Sequence, residues 1–74
     1  MKYEECFKEF CKDRGYIGKY EYNSKLKQYD IIISKGSDNA GAFLTEQEYE
    51  ELTQEQLQGI LEMLHRGFKA KFNK

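Results

Sequence analysis

The sequence predicts a single small α+β domain with the element order α-β-β-β-α. Apolar residues recur with helical spacing near both ends of the chain, and between them the pattern changes to alternation. Short polar turns separate the alternating segments, which is typical of an antiparallel meander. A chain of 74 residues has room for one core. We therefore expect residues 1–74 to form one domain, in which both helices cover the same face of a three-stranded sheet.

The first helix is predicted over residues 2–14. Its apolar side chains fall within an arc of about 140° at 100° per residue. They are Tyr3, Cys6, Phe7, Phe10 and Cys11. Gly15 follows, at the place where helices commonly end in a left-handed residue. The two cysteines are separated by too large an angle around the helix to form a disulfide, so we interpret them as small buried apolar residues.

Three strands are predicted from residue 16 onwards. In YIGKYEYN, residues 16–23, alternation places the tyrosines on one face and Ile17, Lys19 and Glu21 on the other. NSKLK supplies a turn, and QYDIIISK supplies a second strand. KGSDNAG, residues 35–41, is rich in turn-forming residues and is predicted as the second turn. This leaves only GAFL, residues 41–44, for a short third strand.

The last third of the chain predicts a helix that is interrupted once. Its apolar stripe spans about 120°; its members are Leu57, Ile60, Leu61, Leu64, Phe68 and Phe72. Leu52 would lie about 80° outside that stripe. We therefore predict a short helical turn over residues 46–52 capped by Thr45, then a break, then a long helix capped by Thr53. Glu48 and Gln56 stand three residues after these threonines, as in capping boxes.

Composition and motifs narrow the function classes. No aliphatic run is long enough to span a membrane, and acids occupy the N-terminal stretch where a signal peptide needs basic residues. We therefore expect a cytoplasmic protein. His65 is the only histidine, and we interpret it as a half-buried helix residue. In the absence of a recognised catalytic or metal-binding motif, we predict no enzyme, no metal, no cofactor and no small-molecule substrate. A proline-free composition rich in Lys, Glu, Tyr and Ile is compatible with a bacterial or phage origin.

The predicted element order resembles that of the double-stranded RNA-binding domain. FKEFCKDRG, residues 7–15, is similar to the end of that family's first helix. The family contacts phosphates through a basic cluster at the start of its last helix, where this chain has TQEQLQ. Its first turn, NSKLK, also lacks the Gly-Pro-x-His signature of the family. The resemblance therefore implies the fold, and it keeps RNA binding only as an alternative function.

Two alternative functions involve nucleic acid. Tyrosines next to lysines are typical of single-strand binding sites, and this face would comprise Tyr16, Tyr20, Tyr22, Lys19, Lys25 and Lys27. The other interpretation is that the tyrosines fill the interface between sheet and helices. Residues 37–62 carry seven acids and no base, so they are a candidate mimic of nucleic acid. The candidate patch consists of five of these acids, Glu46, Glu48, Glu50, Glu51 and Glu55. Helix capping and the helix dipole explain Glu46, Glu48 and Glu55, whereas Glu50 and Glu51 have no such explanation.

The function we expect most is a small non-enzymatic protein-interaction or regulatory module, encoded by a phage or mobile element. A sheet covered on one face leaves its other face open, and Ile17, Ile32 and Phe43 are the apolar residues expected there. Grouped apolar side chains on a sheet face form a docking surface for a protein partner or for a second copy in a homodimer. The free edge of the third strand offers a second route, by strand addition.

Overall fold

The computed structural model describes the backbone of residues 1–72 and the side chains of residues 1–68. Its elements are α1 (Glu4–Arg14), β1 (Ile17–Asn23), β2 (Gln28–Lys35), β3 (Asp38–Thr45), α2 (Glu46–Glu50) and α3 (Gln54–Phe72). This is the predicted α+β layout, with α2 as the short helix before the break. Phe72, the last member of the predicted stripe, lies outside the described side chains.

The sheet is antiparallel with the strand order β1-β2-β3. Tyr20 pairs with Ile31, and Ile31 pairs with Ala42, so these three residues share one row of the face beneath the helices. The first hairpin closes through Asn23, whose side-chain oxygen accepts hydrogen bonds from the N–H groups of Lys25 and Leu26 at 3.1 and 3.2 Å. Asn side chains stabilise turns in this way.

The prediction of a long second turn and a short third strand is wrong. Lys35 pairs with Asp38, so the turn contains only Gly36 and Ser37, and β3 has 8 residues. Gly36 supplies the positive φ, 64°, that a two-residue hairpin needs at its first loop position. Asp, Asn and Gly are unfavourable in strands in general, but an edge strand with one solvated face tolerates them.

Helix α1 ends as the sequence predicts. Gly15 has φ 72°, and the N–H of Tyr16 donates to the carbonyl of Cys11 at 2.9 Å. This is the Schellman arrangement, which satisfies carbonyls at the end of a helix. The helix begins at Glu4 rather than at residue 2, because Tyr3 has a left-handed backbone with φ 58°.

The break between α2 and α3 follows from two capping boxes. Thr45 and Glu48 form one box, and Thr53 and Gln56 form the other, each with both reciprocal hydrogen bonds. The break turns the chain so that Leu52, which a continuous helix would place outside the stripe, is only 4% exposed. The predicted caps and the predicted break are therefore confirmed.

The core lies between the helices and the inner face of the sheet, and the apolar stripes of both helices contribute to it. The buried set comprises Phe7, Phe10, Cys11, Tyr20, Ile31, Ile33, Leu44, Leu52, Leu57, Leu61, Leu64 and Phe68. Ile60, a member of the predicted stripe of the last helix, is half-buried and packs against this set. Within residues 1–72 no helix is both long and apolar enough to cross a membrane.

Candidate interaction surface

The outer face of the sheet carries a diagonal row of apolar side chains, one from each strand. Ile17 pairs with Ser34 and Phe43 pairs with Asp30. Ile32 lies between Ser34 and Asp30 on β2, two residues from each, so it is the diagonal neighbour of both Ile17 and Phe43. Diagonal neighbours on a sheet are within reach of long and aromatic side chains. We call Ile17, Ile32 and Phe43 the outer strip.

The outer strip is open to solvent at both ends. Ile17 is 76% exposed and Phe43 is 59% exposed, whereas Ile32 on the central strand is half-buried. Ile32 pairs with Gly41, and a Cβ atom at Gly41 would lie 3.3 Å from Cγ1 of Ile32. The side chain of Ile32 therefore leans over the backbone of Gly41. The structure brings together the three residues that the sequence assigned to this surface.

Polar groups beside the outer strip bind one another. On β1, the Lys19 ammonium lies 3.2 Å from the Glu21 carboxylate. On β2, Asp30 accepts hydrogen bonds from the side-chain amides of Gln28 at 2.7 Å and Asn23 at 3.2 Å. Because these groups already have partners, a docking protein would gain mainly from contact with the apolar strip.

A second apolar feature lies at the β3 side of the domain. A groove of about 440 Å³ opens where the end of β3, α2 and the first half of α3 meet. Its lining residues are Leu44, Glu48, Glu51, Leu52, Gln56, Gly59, Ile60 and Met63. Met63 is 59% exposed. Residue spacing did not predict this groove, although the apolar Met63 outside the predicted stripe of α3 was a signal for it.

The predicted tyrosine face is directed towards the helices. Tyr20 is 8% exposed, its ring lies 5.2 Å from that of Phe7, and its hydroxyl donates to the carbonyl of Lys2 at 2.8 Å. Burial raises the pKa of the Tyr20 hydroxyl, with a further increase from the neighbouring Tyr49. This tyrosine belongs to the core, as the structural interpretation of the pattern proposed.

Tyr16 and Tyr22 flank Tyr20 on the same side of the sheet. The Tyr16 hydroxyl lies 2.7 Å from Nδ1 of His65, and the two rings also make an edge contact. Tyr22 is 42% exposed and packs against Tyr29, with ring centroids 4.9 Å apart. The Tyr22 hydroxyl donates a hydrogen bond to the Glu46 carboxylate. The pKa of Tyr22 is raised mainly by burial and, to a smaller extent, by the charge of Glu46. His65 is half-buried, as the sequence predicts.

The three lysines assigned to the same candidate face lie elsewhere. Lys19 is on the outer face, because it alternates with Gly18 and Tyr20 along β1. Lys25 and Lys27 lie in the exposed loop between β1 and β2, where Lys27 has a left-handed backbone with φ 52°. The structure therefore does not bring the tyrosines and these lysines together on one surface.

The candidate acidic patch follows α2 and the start of α3. Glu48 is committed to the capping box with Thr45, and Glu46 accepts the hydrogen bond from Tyr22. Glu50, Glu51 and Glu55 are exposed. Glu48 thus has the predicted capping role, and Glu46 and Glu55 lie in the first turns of α2 and α3, where the helix dipole favours acids.

Comparisons with protein-family models, with curated proteins and with solved structures find no match to this chain. The resemblance to the double-stranded RNA-binding domain therefore rests on the order of elements and on residues 7–15. Geometry and chemistry of the surfaces remain as the basis for a functional proposal.

Proposed function

We propose that this protein is a small, non-enzymatic, cytoplasmic module that acts by binding a protein partner or a second copy of itself. The observation that carries the proposal is the outer strip, a diagonal apolar row on the sheet face that the helices leave uncovered. The amino-acid composition of the chain also supports an origin in an AT-rich bacterial or phage genome.

The energetic argument for docking comes from exposure. Apolar surface that is removed from water contributes about 25 cal/mol per Å², and the two ends of the outer strip, Ile17 and Phe43, are largely exposed. A strip that crosses all three strands also offers a partner one surface on a rigid element, since every strand is hydrogen-bonded to its neighbour.

The test is a charge placed in the middle of the strip. Ile32→Lys should abolish self-association, measured by sedimentation, or capture of the native partner in a pull-down, while the circular dichroism spectrum stays unchanged. Ile17→Ser and Phe43→Ser should weaken the same interaction to smaller extents.

Leu26→Ser is the matched control. Leu26 is 65% exposed, similar to Phe43, but it lies in the loop between β1 and β2 rather than on the sheet face. It should leave self-association and capture unchanged. Equal effects of Leu26→Ser and Ile32→Lys, or unaltered binding by Ile32→Lys, would contradict the proposal.

A further inference from the structure

The free edge of β3 exposes backbone groups in a regular pattern. Lys35 and Asp38 close a two-residue hairpin, so they exchange both hydrogen bonds, and the direction of these bonds then alternates along the strand. Ala40, Ala42 and Leu44 therefore bond to β2. Asn39, Gly41 and Phe43 direct their N–H and C=O groups away from the sheet.

Thr45 supports this assignment independently. It has the same parity as Phe43, and its N–H donates to Oε1 of Glu48 at 2.9 Å rather than to β2. Along the rest of the edge, no hydrogen bond among the described residues occupies the outward groups of Asn39, Gly41 and Phe43. These six backbone groups are the hydrogen-bond donors and acceptors that the β3 edge can offer to another strand.

The edge also lacks the residues that usually prevent strand addition. Between Asp38 and Thr45 the sequence NAGAFL contains no charged residue and no proline. Edge strands in monomeric proteins are commonly protected by lysine, proline or a bulge. The other edge strand, β1, carries the Lys19–Glu21 ion pair.

We propose that a second copy of this chain adds to β3, antiparallel and centred on Gly41, so that the two sheets join into one of six strands. Rotation by 180° about Gly41 places Asn39 opposite Phe43 of the second copy, and Gly41 opposite its own equivalent. All six outward groups of each copy then find a complementary group in the other. This match of the edge to itself is the reason for naming a second copy as the occupant.

Side chains at the join are compatible with this arrangement. On the helix side, Ala40 faces Ala42 of the second copy, and these small residues let the two strands approach without a clash. The groove beside Leu44, with the exposed Met63 on its wall, lies next to the same edge and becomes part of the covered surface.

Charges at the ends of the join do not add to the attraction. The ammonium of Lys35 lies over the Tyr16 ring, 5.7 Å from its centroid, and therefore on the β1 side of the sheet rather than at the β3 edge. The inference rests on the proposed function, which it deepens by naming one partner, but it uses the sheet edge rather than the outer strip.

Cysteine cross-linking tests the register. Asn39→Cys and Phe43→Cys proteins, mixed and mildly oxidised, should form a covalent dimer, because opposed Cα atoms in a hydrogen-bonded pair are about 5.5 Å apart, within reach of a disulfide. Either variant alone should cross-link much less, since equivalent residues would be about 13 Å apart. The native Cys6 and Cys11 are present in every sample, so the wild-type protein reports any background from them.

Blocking the edge tests the affinity. Asn39→Pro removes an outward N–H and leaves the bonds between β2 and β3 in place, as edge strands allow. It should raise the dimer dissociation constant at least tenfold, measured by sedimentation equilibrium, with an unchanged circular dichroism spectrum. Asn39→Ala, which keeps the N–H, should dimerise like the wild type.

The outcomes separate the two proposals. Loss of the dimer with Asn39→Pro but not with Ile32→Lys supports pairing at the β3 edge. Loss with Ile32→Lys alone assigns self-association to the outer strip and overturns this inference. A wild-type protein that is monomeric at about 1 mM, or a mixture that cross-links no better than its components, also overturns it, while capture of a partner sensitive to Ile32→Lys would still support the proposed function.

Discussion

Thr53 and Gln56 are joined by two reciprocal hydrogen bonds at the start of α3. The Thr53 hydroxyl accepts the N–H of Gln56 at 3.2 Å, and the Gln56 side chain accepts the N–H of Thr53 at 2.9 Å. The same reciprocal pair occurs eight residues earlier between Thr45 and Glu48. The repeated sequence pattern thus separates two helices, and Leu52 between them enters the core.

Removing the second cap should destabilise the fold. Thr53→Ala should lower the free energy of unfolding by about 1 kcal/mol, because an N–H in the first turn of α3 loses its acceptor. Thr53→Ser should retain most of the stability, and Gln54→Ala, one residue further along, serves as the control. Urea denaturation measures all three. A Thr53→Ala protein as stable as the wild type would show that the capping box does not stabilise the break.

Two glycines should respond oppositely to the same substitution. At Gly18 a Cβ atom would lie 2.6 Å from both Sγ of Cys11 and Cζ of Phe7, because α1 packs directly on this residue. Gly18→Ala should therefore cost about 1–3 kcal/mol through overpacking. At Gly59, within α3, nothing lies within 4 Å of the added Cβ. Gly59→Ala should stabilise the protein by about 0.4–1 kcal/mol.

Thermal or urea denaturation of the two alanine variants checks this prediction. Both substitutions add one methyl group, so a difference in sign reports the local packing rather than the chemistry of the change. If Gly18→Ala left the free energy of unfolding unchanged, α1 would not pack as closely on β1 as the structure shows. If Gly59→Ala destabilised the protein, the space around Gly59 would not be open as the structure shows.

Stability should fall in alkaline solution, partly through Tyr20. Burial raises the pKa of this hydroxyl above its ordinary value of 10. Above about pH 10 the unfolded chain releases a proton that the folded protein keeps, so the contribution of Tyr20 is complete below that pH and is lost as the pH rises. The free energy of unfolding should therefore decline steadily from about pH 9.5 upwards.

Tyr20→Phe isolates this contribution. The variant loses the hydrogen bond to the Lys2 carbonyl and should be less stable at neutral pH. Its further loss of stability between about pH 9.5 and pH 11 should be smaller than that of the wild type, because one linked proton is gone. Urea denaturation at each pH provides the comparison. Identical pH slopes would contradict a role for Tyr20 in the alkaline transition.

Nucleic-acid binding should be weak, because the structure separates the cationic and aromatic residues that such a site needs. Lys19 is paired with Glu21, and Lys25 and Lys27 lie in a loop away from Tyr20. We expect no retention on heparin at low salt and no mobility shift with single-stranded or duplex RNA. Retention that weakens steeply with salt, and that falls when Lys25 and Lys27 are changed to alanine, would instead favour the nucleic-acid alternative.

Local signals predicted most of the secondary structure. The apolar spacing of residues 2–14, the glycine after them and the two Thr-x-x-Glu/Gln repeats act within a few residues. The structure has the helices and the break that they indicate, with the first helix beginning two residues later than predicted. The predicted second turn is too long, because residues 38–41 carry turn-forming side chains that an edge strand also accepts. Only the pairing of β3 with β2 distinguishes these two states.

The candidate surfaces depend on how the strands and helices pack together. Alternation along β1 and β2 predicted Ile17 and Ile32 on the open face of the sheet, and the structure has them there. The diagonal of the outer strip requires the register of three strands, and the groove beside Met63 requires the relative positions of β3, α2 and α3. Neither relationship can be obtained from residue spacing along one segment.

The sequence by itself determined which segments are helical, where they stop and which side chains are apolar, because hydrogen bonds within a turn and side-chain periodicity are local properties. The tertiary structure decided how deeply each apolar residue is buried. Phe7 and Phe43 have the same side chain, yet Phe7 is 5% exposed and Phe43 is 59% exposed. The physical reason is that burial depends on contacts between residues far apart in the chain, and these exist only once the helices have packed on one face of the sheet.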